Sequence, residues 1–251
     1  MQAHLPIPAP GKTERVSDLR RGADSLELAR LARTLKKPLV ILSASAFDAQ
    51  RLLEEMRWFE PQLAIHLLPD WETLPYDHFS PHPDLVSERL ATLYQITQNA
   101  CDVIIIPVGT ALVRLPPQAF LAAHTFMLKK GQKLDLEALR AQCAEAGYHH
   151  VNQVMSPGEF SVRGGLVDLF PMGSALPYRL DLFDDEIETV RTFDVDTQRS
   201  LYPVAEIRLL PAREFPLDDK GIAKFRQSFR ETSEGDPSKC RIYKDISNGI
   251  A

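Results

Sequence analysis

The chain has 251 residues, 44% of them hydrophobic and 25% charged, and carries a net charge of −5; that size suits two modest cores better than one. An acidic balance supplies no overall basic field to displace phosphate counterions, so duplex binding would have to rest on a local basic stripe. Cys101, Cys143 and Cys240 are odd in number and far apart, which offers no disulfide or metal framework and fits a reduced intracellular chain.

In chain order, a Pro-rich leader precedes a helical stretch, "ERVSDLRRGADSLELARLARTLKK", with Leu26, Leu28, Leu31 and Leu35 near helical spacing. Then come a short buried strand "PLVILS" (38–43), an amphipathic helix "AFDAQRLLEEMRWF", a second strand "LAIHLL" (63–68), an aromatic loop, the helix "LVSERLATLYQITQNA" and the strand "DVIIIPV". Apolar strands alternating with helices predict an α/β domain with a parallel sheet covered on both faces. "PPQAF" marks a boundary, after which "TFMLKKGQKL" is extended and "DLEALRAQCAEAGY" is helical. From residue 151 the pattern changes to short alternating strands at 159–163, 166–170, 178–183 and 186–193. These predict an antiparallel sheet with one face on a helix and the other in water. "VAEIRLLPAREF" (204–215) reads as a last strand, expected to return to the first domain's sheet.

Most chemistry-bearing motifs have plain explanations. "PGKT" at 10–13 ends like a phosphate loop, but Pro6 occupies the position of the first required glycine and no core strand precedes it. Prolines also remove the amides that would grip phosphate. His78 and His82 flank prolines, and His149–His150 fall at a helix end, none with partners at metal-ligand spacing. Asp184, Asp185, Glu186 and Glu188 could suggest a cation site, yet Asp-Asp between alternating strands is more simply a hairpin turn. The start of the chain lacks the apolar core of a signal peptide, and the longest apolar run, "VIIIPV", is too short to span a bilayer. A soluble cytoplasmic chain without catalytic, cofactor or metal residues is expected.

"EFSVRGGLVDLFP" and "YRLDLFDDEIETVRTFDVD" stand apart. Phe160 and Val162 point one way and Ser161 and Arg163 the other; Tyr178, Leu180 and Leu182 take one side, leaving Arg179, Asp181 and Phe183 opposite. A ring in phase with two arginines on the wet face has the composition of an interface hot spot, and the guanidinium fork suits a partner carboxylate. The competing expectation is that Phe183 tucks under a loop of its own domain.

These stretches, with "LLPDWETLPYDHFSPHPDLVSERLATLYQI" and "IRLLPAREFP", closely resemble the N-terminal part of the bacterial transcription-repair coupling factors, over nearly the whole chain and least in the first thirty residues. That region is similar in turn to UvrB, the damage-verification subunit of excision repair. The resemblance implies a RecA-like, degenerate helicase domain of P-loop NTPase type in segments 1–120 and 204–251, the second truncated, interrupted at 121–203 by a small α+β UvrA-binding domain. It implies docking onto UvrA through Arg163, Arg179 and Phe183, the arginines pairing with acidic groups and the ring filling a pocket between them. Relative to UvrB, only "HPDLV" stands where a DNA-gripping hairpin would be inserted, and the nucleotide loop is missing. ATP and magnesium, and contacts with RNA polymerase and duplex DNA, are expected only of translocase parts outside this chain. Two alternatives remain at this level: a nucleotide-dependent domain using Lys12 and Thr13, and a DNA-binding module using Lys129, Lys130, Lys133 and the Arg20–Arg21 pair.

Overall fold

The computed structural model describes residues 5–17, 19–74 and 79–250. Two compact units emerge, one running to Arg114 and the other beginning at Leu115.

The first unit contains α1 (Ala23–Thr34), β1 (Leu39–Ser43), α2 (Ala46–Phe59), β2 (Ile65–Leu67), α3 (Pro83–Thr97), β3 (Val103–Pro107) and the single turn α4 (Val108–Ala111). Its strands form a parallel sheet in the order β1-β3-β2. One face, carrying Ile41, Ile65, Val103 and Ile105, packs against Ala29 and Ala32 of α1 and Ala49, Leu52, Leu53 and Met56 of α2. Small residues on α1 let that helix lie close, while α2 begins at Ser45, whose side chain accepts the Asp48 amide hydrogen at 3.1 Å. Arg51 clamps the two helices through Asp24 (2.8 Å) and Glu55 (2.8 Å). Coverage of both faces, expected from the strands' apolar content, is incomplete: Val40 and Leu42 of β1 are 55% and 62% exposed. Alternation along β1 turns them to the face opposite α1 and α2.

The second unit contains α5 (Gln118–Ala123), β4 (Phe126–Lys129), α6 (Leu136–Glu145), β5 (His149–His150), β6 (Glu159–Arg163), β7 (Leu166–Leu169), β8 (Tyr178–Phe183), β9 (Glu186–Phe193), β10 (Ser200–Pro203), β11 (Glu206–Leu209), α7 (Asp219–Thr232) and α8 (Arg241–Ser247). Its main sheet runs β10-β9-β8-β7-β6-β5. All neighbours are antiparallel except β5, which joins β6 in parallel; His149–His150 thus form a short strand rather than a helix end. Phe160, Val162, Val167, Leu169, Leu180, Ile187 and Val190 project from this sheet into a core with Leu139, Cys143 and Ala146 of the α6 region. Asp135 starts α6 by accepting the amides of Glu137 and Ala138.

The strand expected to return to the parallel sheet does otherwise. β11 pairs antiparallel with β4, Ile207 opposite Leu128 and Leu209 opposite Phe126. Ile207 and Leu209 belong to the small unit's core, and the buried Tyr148 hydroxyl donates to the Leu210 carbonyl at 2.7 Å. Burying this apolar pair against β4 outweighs any pairing suggested by position in the chain. Downstream, α7 and α8 meet through Phe225, Phe229 and Tyr243.

Candidate functional site: the outer face of the small sheet

With Phe160, Val162, Val167, Leu169 and Leu180 turned inward, the alternate residues of the same strands are committed to the opposite face. The two-residue turn Gly164–Gly165 joins β6 to β7, with Gly164 at φ +60° as such tight hairpins require. It sets Arg163 opposite Leu166 and Ser161 opposite Asp168. Across the next pairing, Leu166 lies opposite Asp181 and Asp168 opposite Arg179. Arg163, Leu166, Asp168, Arg179 and Asp181 therefore share one face, and alternation along β8 adds Phe183.

Gly165 has a second duty. A β-carbon there would sit 3.0 Å from the Leu182 carbonyl oxygen, and the Leu182 amide donates to the Gly165 carbonyl at 2.8 Å. The bare turn thereby ties the end of β8, which carries Phe183, to the β6–β7 turn that follows Arg163. On β9 the pairing passes from Asp181 opposite Thr189 to Leu182 opposite Ile187, so Glu188 is a bulge that increases the local twist. The β8–β9 turn is Asp184–Asp185, with Asp184 at φ +56°, and Asp185 pairs with Lys133 at 2.8 Å. The hairpin reading of this acidic run is the observed one.

The three expected docking residues share the face but are unequally available. Phe183 is 76% exposed, which disposes of the alternative that it tucks under a loop. The Arg163 side chain is 51% exposed and that of Arg179 only 14%. What covers Arg179 is a network whose centre, Asp168, was not among the expected site residues. Asp168 is 1% exposed. It receives Nε and Nη2 of Arg179 at 2.7 and 2.9 Å, and Nη2 of Arg163 at 2.6 Å. Arg179 also donates through Nη1 to the Gln198 carbonyl at 2.9 Å, and its guanidinium lies over Phe193, 4.7 Å from the ring centroid. The hydrogen bond that Arg179 donates to Asp168 pushes the Arg179 pKa up further, against the opposing effect of burial.

One end of this face is closed by Val154, Phe170 and Phe193, packed against Val151 and Val195. Adjoining this cluster is an open hollow of about 480 Å³ lined by Gln153, Arg163, Leu166, Arg179 and Gln198. The face thus offers a fixed cationic hollow and a bare aromatic ring.

Other candidates are less developed. "PGKT" is an exposed turn closed by the Lys12 amide on the Ala9 carbonyl, with no strand before it among the described residues. At the carboxyl end of β1, where α/β sheets present ligands, Ala44–Ser45 is the whole link to α2, and Asp48 places negative charge in the helix's first turn. His78 lies outside the described residues; His82 accepts the Asp84 amide at the start of α3. Among the described residues no three histidine, cysteine or acidic side chains group as metal ligands, and no helix is long and apolar enough to cross a membrane.

Residues 126–215 match the UvrB interaction domain family, a segment that contains the entire face just described. Over nearly its whole length the chain is also similar to larger proteins. It is 47% identical over 245 residues to the transcription-repair-coupling factor of Escherichia coli (strain K12), covering 98% of this chain and 21% of that protein. The chain corresponds to a segment of a transcription-repair-coupling factor that contains the UvrB interaction domain. The factor of Haemophilus influenzae is 45% identical over 231 residues, covering 91% of the chain and 20% of the relative. That of Bacillus subtilis is 28% identical over 203 residues, covering 81% and 17%. The chain spans about one fifth of the length of these curated relatives.

Proposed function

We propose that this segment is the docking module through which a transcription-repair-coupling factor recruits UvrA to RNA polymerase stalled at DNA damage, with Arg163, Arg179 and Phe183 forming the landing surface. The observation that carries the proposal is the exposed Phe183 ring on the same outer face as a held guanidinium pair, within a segment that matches the UvrB interaction domain. An apolar ring flanked by cations suits a partner presenting an apolar pocket rimmed by carboxylates. The remaining activities, ATP-driven translocation on duplex DNA and release of the polymerase, belong on this reading to parts of the factor outside the chain, with ATP and magnesium. On this reading the first unit is a RecA-like domain without its nucleotide loop, and the docking domain lies in the second unit, with β11 counted to it by its pairing.

The short Ala44–Ser45 link and Asp48 argue against phosphate at the end of β1. Lys129 and Lys133 are already paired with Glu206 and Asp185, which weakens the reading of a basic stripe for DNA. Calorimetry with purified UvrA tests the proposal. Wild-type chain binds, and the Arg163→Ala, Phe183→Ala double variant loses at least about thirtyfold in affinity, one central anchor alone being worth about 2 kcal/mol. Undiminished binding by the double variant rejects this surface.

A further inference from the structure

Resting on that reading of the outer face, we infer that Asp168 and Arg179 are positioning residues and that Arg163 is the guanidinium presented to the partner. Of the two arginines, Arg179 spends Nε and Nη2 on Asp168 and Nη1 on the Gln198 carbonyl, and it stacks on Phe193. A clamp for an incoming carboxylate needs two parallel N–H groups on one accessible edge of the fork; Arg179 has given its Nε–Nη2 edge to Asp168 and an Nη1 hydrogen to Gln198, on a side chain only 14% exposed. Arg163 gives up one Nη2 hydrogen bond, to Asp168, and keeps the rest of its fork on a half-exposed side chain.

Charge makes the same division. One carboxylate against two guanidiniums leaves a net charge of +1, and the more exposed member of the triad is Arg163. A buried carboxylate bonded at both oxygens has little freedom to move. Asp168 therefore shortens the range over which Arg163 wanders before a partner arrives, and less ordering remains to be done on binding. Arg179, locked in two directions by Asp168 and Gln198, braces the carboxylate from behind.

Binding to UvrA across variant cycles tests this. Asp168→Asn keeps the shape but turns an amide toward two donors; it is expected to weaken binding about tenfold in the wild-type and Phe183→Ala backgrounds and less than about twofold once Arg163 is alanine. Arg179→Ala follows the same pattern, and does so even if Asp168→Asn fails to fold. Equal losses in all three backgrounds would mean that these two residues act only through stability or, for Arg179, by direct contact, and would overturn the inference. A second arm needs no partner: nitrogen-detected NMR of arginine side chains in the wild-type chain. Restricted guanidinium rotation at both Arg163 and Arg179 supports the inference even if UvrA fails to bind, which would count against the docking proposal alone. A freely rotating Arg163 guanidinium overturns the inference whatever UvrA does.

Discussion

Replacing Phe183 with alanine separates docking from folding. The side chain is 76% exposed; of roughly 200 Å² for such a ring, about 150 Å² remains available for a partner. At ~25 cal/mol per Å² that area is worth at most about 4 kcal/mol. Part is spent on ordering the interface, so a net loss of about 2 kcal/mol, or thirtyfold in affinity for UvrA, is expected. Because the ring contributes so little to its own core, the unfolding free energy should move by no more than about 0.5 kcal/mol. The assay is titration calorimetry with UvrA beside a urea melt of the same preparation. An unchanged affinity would refute the surface. A large loss of stability would refute the claim that Phe183 stands clear of its own domain.

Gly165→Ala places a β-carbon against the Leu182 carbonyl and should cost about 1–3 kcal/mol in a urea melt, with weaker UvrA binding as β8 moves; wild-type stability would show that the close approach is not needed. Native protein at pH 8 should offer one fast thiol to a disulfide reagent, Cys240, and three after unfolding. Burial pushes Cys143 up to about 12, burial and Asp102 raise Cys101, and Cys240→Ser should abolish the fast phase. Burial pushes Asp24 up, but Arg51 and the amides of Ser25 and Gly22 prevail and hold its carboxyl below the usual 3.8. Its contribution is therefore complete above that value and lost as pH falls through the lower folded-state pKa. Between pH 5 and pH 3 (roughly the span of this titration), Asp24→Asn should lose less stability than wild type in parallel urea melts; identical losses would contradict the assignment.

Much of the docking face was legible because its strands alternate and its turns are short. The ranges 159–163, 178–183 and 186–193 read from the sequence are those observed, since Gly164–Gly165 and Asp184–Asp185 interrupt the beat abruptly. Phase alone placed Arg163, Arg179 and Phe183 on one side, but it could not say which residue stands across from which. Counting back from the two-residue turn does set Ser161 opposite Asp168, so that acid on the outer face was a usable signal. Its meeting with Arg179 was not, because residues 170–177 separate β7 from β8 and leave their register open. The same limit explains β11: alternation of Ile207 and Leu209 identifies an inward face without naming β4 as its partner. The apolar run of β1 promised two covered faces, yet Val40 and Leu42 stand open, because composition reports what a strand could bury and not what lies upon it.

Hydrogen–deuterium exchange of the chain with and without UvrA tests the central claim most directly. Slowed exchange concentrated in 159–170 and 178–193, around Arg163 and Phe183, is the predicted result. Protection confined to the parallel-sheet unit, with these strands unchanged while UvrA is bound, would contradict it.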